Sequence, residues 1–149
     1  VELVVALGKE GRDIPAAEAV GHVFGYGVGL DLTRRDLQNE AKKLGRPWEI
    51  GKAFDQSAPI GPITPITQSG ELASGPIQLR VNGVTRQSSD IGKLIWSVAE
   101  IIAHLSAAWA LAPGDLIMTG TPEGVAAVAR GDRLEAECVG CIPIEVIVS

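Results

Sequence analysis

Two cysteines in 149 residues, Cys138 and Cys141, leave no material for a disulfide framework. Their CxxC spacing falls between two β-prone segments and not at the start of a helix, so it predicts a hairpin with two incidental thiols in place of thioredoxin-like redox chemistry. Histidine is equally scarce: His22 and His104 lie far apart, no zinc-type spacing links them to the cysteines, and both read as structural. Charge of one sign is nowhere gathered. Thirteen basic against eighteen acidic residues leave a net charge of −5, which excludes a nucleic-acid footprint and a polybasic membrane anchor. The longest apolar stretch, 91–111, is interrupted by Lys93, Glu100 and His104, so it is an amphipathic helix and no membrane span. No signal peptide opens the chain, and a cytoplasmic setting is expected. There is no Gly-x-Ser-x-Gly elbow and no Gly-x-Gly-x-x-Gly opening a βαβ unit, which removes the serine hydrolase and dinucleotide-binding readings. Arg130-Gly-Asp132 is a turn between strands.

What is present is a chain with 46% apolar and 21% charged residues, enough for one compact domain over 1–149 with a real core. Its partners are expected to be small molecules and other subunits. The chain does not start with Met, and Val1-Glu2 already lies inside a strand-like run, so an upstream segment is expected. Glu2 to Leu7 predicts a buried strand with a carboxylate at its mouth, broken at Gly8-Lys-Glu-Gly11. Pro15 opens a short helix, Val23–Leu30 is a second strand, and Thr33–Leu44 is a polar helix stopped by Gly45-Arg-Pro47. From Gly51 to Ser74 the prolines predict an extended, irregular path largely without sheet hydrogen bonds. Ile77–Val81, Asn82-Gly83 and Val84–Arg86 form a hairpin with a type I′ turn. Ser88-Ser-Asp90 is expected to cap a helix whose apolar face runs from Ile91 to Trp109. Segments near 116–120, 134–139 and 142–148 complete the strands. Strands outnumber helices without βαβ alternation, so the expected class is α+β, mainly β: a roll or sandwich with a few packed helices.

The densest chemistry is Asp31-Leu-Thr33-Arg34-Arg35-Asp36-Leu-Gln38, directly after the glycine-spaced run Gly25–Leu30. Glu2 and Asp31 stand at strand ends that could be neighbours, as oxygen ligands for Mg²⁺ or Mn²⁺ do, or else they are a solvated strand end and a helix cap. Arg35 and Gln38 share a helix face. Arg35 and Lys52 could bind the carboxylate of a small keto acid, or be surface charges. The turn Thr119-Gly-Thr121-Pro122-Glu-Gly124 lacks the lysine and glycines of a phosphate loop. It offers a hydroxyl and N–H groups to an oxyanion, or is an ordinary strand exit.

Taken together, Glu2–Lys9, Gly25–Gln38, Gly51-Lys-Ala-Phe-Asp55 with Pro59 and Gly61-Pro62, and Leu116–Val125 resemble the fumarylacetoacetate hydrolase family over essentially the whole chain. Arg35–Trp48 looks most like its acylpyruvate-cleaving branch, whose substrates include fumarylpyruvate. The resemblance implies a mixed β roll, a homodimer, and one Mg²⁺ or Mn²⁺ held by three carboxylates. Glu2 matches the second Glu of a Glu-x-Glu strand and Asp31 the aspartate, while the first Glu would precede Val1. It further implies that Arg35, Gln38, Lys52 and Thr121 contact the keto-acid substrate, with Lys52 and Thr121 stabilising the oxyanion. A His-Glu pair that activates water would lie on an upstream N-terminal lid. Ala126 departs from the pattern, where many relatives have glycine. The implied activity is hydrolysis of the C–C bond of 2,4-diketo acids. Decarboxylation or isomerisation of 2-oxo diacids, or a non-catalytic dimeric scaffold, are the alternatives.

Overall fold

The computed structural model describes residues Val1–Ser149. Its strands are β1 (Glu2–Leu7), β2 (Val23–Gly29), β3 (Thr64–Pro65), β4 (Pro76–Val81), β5 (Val84–Asp90), β6 (Leu116–Met118), β7 (Arg133–Cys138) and β8 (Ile144–Ile147). The α-helices are α1 (Ala16–Ala19), α2 (Arg35–Lys43), α3 (Glu49–Lys52), α4 (Ile66–Ser69) and α5 (Val98–Ala108). Two four-stranded sheets result, in the orders β3-β2-β1-β6 and β5-β4-β7-β8, and every pairing is antiparallel. The α+β, mainly β expectation holds.

Period-two alternation decides which face of the first sheet is core. Leu3, Val5 and Leu7 of β1 and Tyr26 and Val28 of β2 join Ile77, Leu134 and Ala136 of the second sheet in one apolar cluster. The opposite face carries Glu2, Val4 and Ala6, paired respectively with Gly29, Gly27 and Gly25. Those three glycines explain the spacing of Gly25–Leu30. A side chain at Gly25 would collide with the Thr64 carbonyl, and one at Gly27 would meet Ile63, because the chain from Pro59 to Pro65 runs close alongside β2. This strap is more regular than its prolines predicted. Leu30 N–H donates to the Pro59 carbonyl at 3.0 Å, Gly61 N–H to Val28 at 2.9 Å, and Thr64–Pro65 pairs with β2. The prolines lack N–H groups, but the residues between them and the carbonyls complete the ladder.

The hairpin turns at Asn82 (φ 52°) and Gly83 (φ 78°), as a type I′ turn requires. The helix expected after Asp90 begins later. Strand β5 continues to Asp90, whose carboxylate accepts N–H groups from Gly75 (2.9 Å) and Gly92 (2.7 Å) and caps a single 3₁₀ turn, Ile91–Lys93. Ser97 and Glu100 then form a reciprocal capping box that starts α5 seven residues downstream of Ile91. Ile95 is consequently 96% exposed and no part of a helix face. Buried Ser106 accepts the Ile14 N–H at 2.9 Å, which fastens the segment before α1 to α5.

Candidate active site

The register Glu2↔Gly29 brings the start of β1 beside the end of β2, so Glu2 and the Asp31 loop are neighbours by construction. Glu2 is only 3% exposed, which rules out a solvated strand end. Its Oε2 accepts the Gly120 N–H at 2.8 Å, leaving Oε1 for another partner. Asp31 does not cap α2 either. The N-cap position is Arg34 and carries no side-chain hydrogen bond, whereas Asp31 Oδ2 takes the Lys52 ammonium at 2.5 Å.

Lys52 reaches Asp31 because α3 abuts the first turn of α2. Arg34 N–H donates to the Gly51 carbonyl at 3.0 Å, and a Cβ on Gly51 would stand 3.0 Å from the Gln38 nitrogen. The Lys52 ammonium also donates to Thr33 Oγ1 at 3.0 Å. One helical turn on, Arg35 Nη1 donates to Gln38 Oε1 at 2.6 Å, with Gln38 buried. The guanidinium is thereby oriented, and its remaining N–H groups are free to fork onto a carboxylate.

Past β6 the chain follows β1 toward its start. Thr119 donates its N–H (3.2 Å) and hydroxyl (2.9 Å) to the Leu3 carbonyl, Gly120 its N–H to Glu2, and Thr121 its hydroxyl to the Val1 carbonyl at 3.2 Å. Gly124 (φ +94°) closes the turn against β5, where any side chain would strike the Arg86 carbonyl. On the core side of this turn a groove of about 500 Å³ opens, lined by Leu3, Ile91, Ile95 and Trp96 among others. It includes Thr121 but none of Glu2, Asp31, Arg35, Gln38 or Lys52.

Burial raises the Glu2 carboxyl above the ordinary carboxylate range; the Gly120 N–H offsets this, the Asp31 charge adds to it and Lys52 opposes it. A buried carboxylate beside a second carboxylate is a donor set that a hard divalent cation suits in charge and chemistry. No group of three or more His, Cys, Asp or Glu side chains converges within the chain, so Glu2 and Asp31 would supply two positions and leave the others to water, substrate or further donors. The burial has a stability consequence. With metal absent, Glu2→Gln should stabilise the folded state at neutral pH by about 1 kcal/mol, since it keeps a carbonyl for the Gly120 N–H and removes a buried charge. Because the folded pKa is raised, the advantage should vanish at pH values where Glu2 is protonated in both states and grow as pH rises through that window. Urea titrations from pH 3.5 to 7.5, with chelator, check both sign and trend; added Mn²⁺ should stabilise the parent protein and not the variant.

The structure thus gathers Glu2, Asp31 and Lys52, pairs Arg35 with Gln38, and places Thr121 on the turn that holds Glu2. Three further groups join these residues. Thr33 and the Gly120 N–H sit inside the Asp31–Gln38 and Thr119–Gly124 motifs. Gln87 does not: it falls between the expected strand Val84–Arg86 and the expected cap Ser88-Ser-Asp90, yet it lies in β5 and is 3% exposed. His22 is buried with Nδ1 3.2 Å from the Lys9 carbonyl, and His104 meets the Trp96 ring edge-on, both away from the cluster. Cys138 and Cys141 flank the turn between β7 and β8, and the hydrogen bond with the Cys141 thiol, together with burial, pushes the Cys138 thiol up.

No helix is long and apolar enough to cross a membrane. The fumarylacetoacetate hydrolase C-terminal family matches residues 1–148. The chain is 47% identical over 148 residues to a fumarylpyruvate hydrolase from a Ralstonia species, covering 99% of this chain and 77% of that one. It is 41% identical over 142 residues to the mitochondrial oxaloacetate tautomerase of Rattus norvegicus, covering 95% of this chain and 64% of the relative. Among solved structures, fumarylpyruvate hydrolase from Pseudomonas aeruginosa in complex with Mn²⁺ and pyruvate superposes with a TM-score of 0.97 at 56% identity, over 99% of this chain and 63% of that chain. The chain therefore spans roughly two thirds to three quarters of the length of these relatives. With the family matched from end to end and the same two-sheet fold in a solved relative, the chain belongs to the fumarylacetoacetate hydrolase family, in its C-terminal region.

Proposed function

We propose that residues 1–149 are the catalytic domain of a Mg²⁺- or Mn²⁺-dependent hydrolase that cleaves the C–C bond of acylpyruvates, with fumarylpyruvate from aromatic acid breakdown as the favoured substrate. The observation that carries this reading is the convergence of Glu2, Asp31 and Lys52 at the mouth of β1 and β2, in a chain 56% identical to a fumarylpyruvate hydrolase in complex with Mn²⁺ and pyruvate. Glu2 and Asp31 would hold the ion, which when bound supplies Lewis-acid polarisation of a 2-keto acid. Arg35, oriented by Gln38, and the Gln38 amide offer donors to the substrate's carboxyl and keto oxygens. Lys52 and Thr121 stabilise the negative charge that builds on oxygen as water adds to the 4-keto carbon and the C3–C4 bond breaks. One water is consumed, and the acyl acid and pyruvate leave. The base for that water is assigned to the upstream lid that the resemblance implies. A homodimer, also implied by the resemblance, would cover the exposed apolar residues Ile95 and Trp96.

The similarity to an oxaloacetate tautomerase favours one second reading, an enzyme of 2-oxo diacids, in which the same donors stabilise an enolate without hydrolysis. Incubating the intact gene product with fumarylpyruvate and with oxaloacetate, with Mg²⁺ or chelator, identifying cleavage products by mass spectrometry and following the enol of oxaloacetate by its ultraviolet absorbance, separates these. Metal-dependent fumarate plus pyruvate is expected. Turnover of oxaloacetate alone establishes the second reading, and no turnover together with no metal binding leaves a scaffold.

A further inference from the structure

We infer that Gln87 is the positioning residue that orients the Thr121 hydroxyl as a hydrogen-bond donor toward the substrate oxyanion; the inference rests on the reading above for the role of Thr121. Gln87 comes from the second sheet, on β5, and its side chain crosses to the start of β1 and the turn after β6. The Gln87 Oε1 accepts from the main-chain nitrogen of Val1 at 2.7 Å. Its Nε2 donates to Thr121 Oγ1 at 2.9 Å and to the Pro122 carbonyl at 2.8 Å. The amide cannot be reversed, because a flipped oxygen would face the Pro122 carbonyl and the nitrogen would face another donor.

The consequence falls on Thr121. A hydroxyl has one hydrogen to give and two lone pairs to offer. The Gln87 N–H occupies one lone pair at 2.9 Å, so the hydroxyl hydrogen must point away from Gln87. That hydrogen is available for a new partner, and its present acceptor, the Val1 carbonyl, is a long 3.2 Å away. The cost of redirecting it is small. An oxyanion arriving at Thr121 meets a donor whose orientation is already chosen, which is how pre-aimed groups favour a transition state over a ground state. Gln87 itself needs no contact with the substrate.

The test is a double-mutant cycle in the intact gene product with Mn²⁺: Gln87→Met, which keeps the volume and removes every hydrogen bond, Thr121→Val, and both together. Gln87→Met should lower kcat on fumarylpyruvate by roughly 10–100-fold, with KM moved less than about threefold. In the Thr121→Val background the same change should cost no more than about twofold, because the group through which it acts is gone. Additive losses, or a wild-type kcat for Gln87→Met, would overturn the inference. Gln87→Glu supplies a readout that a purely structural role would not move. Its carboxylate would capture the Thr121 hydrogen, and kcat should recover as pH falls and the carboxyl regains a proton to donate; a pH profile parallel to the parent's counts against the assignment. If neither Gln87 variant folds, Gln87 is a core structural residue and the assignment falls. Affinity for oxalate, a dianion shaped like an enolised keto acid, is measured across the same cycle. Should the parent fail to cleave fumarylpyruvate, the hydrolase reading fails alone, and the coupling of Gln87 to Thr121 is still decided by oxalate.

Discussion

Asp31→Asn should lower metal-dependent turnover by roughly three orders of magnitude while leaving the fold in place. The several kcal/mol that a Lewis acid contributes to stabilising developing charge correspond to a loss of that size. Asparagine keeps the shape of the side chain and one carbonyl oxygen but withdraws the formal charge, so the two carboxylates that match a divalent ion are reduced to one, buried Glu2. The effect on folding is small for a separate reason. Asp31's one protein partner is the Lys52 ammonium, and both side chains are about one third exposed, so that pair is worth no more than about 1 kcal/mol. Asp31 also makes no cap on α2, so the helix does not depend on it. Isothermal titration with Mn²⁺ and kcat on fumarylpyruvate, beside a thermal melt, separate the two effects. Undiminished activity in Asp31→Asn would sink the metal assignment.

The parts of this site that were legible in the sequence are those in which one residue type does one job at one place in a motif. Glu2, Asp31, Arg35, Gln38, Lys52 and Thr121 all lie in segments where polar groups interrupt an apolar or glycine-spaced pattern, and the structure sets them at one end of the β1–β2 pair, on the turn after β6 and on the two helices that follow β2. What the pattern could not show was long-range pairing. Gln87 acts across 34 residues on Thr121, and nothing local distinguishes it from the exposed polar residues of its strand. The prolines of the strap from Pro59 to Pro65 predict irregularity because proline lacks an N–H; which carbonyls and intervening amides complete a ladder depends on a partner strand that only the fold identifies. The start of α5 differs from the periodicity for a simpler reason. Apolar residues at helical spacing continue upstream of it through Ile91, Leu94 and Ile95, but the boundary is set by the Ser97-x-x-Glu100 capping box.

Lys52→Met is expected to separate catalysis from metal binding, with effects of opposite sign. The ammonium of Lys52 sits on Asp31 Oδ2 at 2.5 Å and on Thr33 Oγ1 at 3.0 Å, so it occupies the carboxylate that a divalent cation needs. Binding the cation must therefore draw Asp31 away from Lys52 or share it, and a neutral, apolar methionine removes both that competition and the repulsion between two cations. Affinity for Mn²⁺ should stay the same or tighten by up to about threefold, an effect limited by the exposure of the pair. Turnover should move the other way. Lys52, once displaced from Asp31, is a mobile positive donor beside the place where charge accumulates on oxygen, and removing one such donor costs on the order of 10²–10³ in kcat. Lys52→Arg should not rescue the rate, because a planar fork cannot replace a compact ammonium placed between Asp31 and Thr33. Metal titration and steady-state kinetics on the same preparation decide the matter: a wild-type rate in Lys52→Met removes lysine from the mechanism. A parallel loss of metal affinity and rate would place Lys52 in support of the ion site instead of the oxyanion.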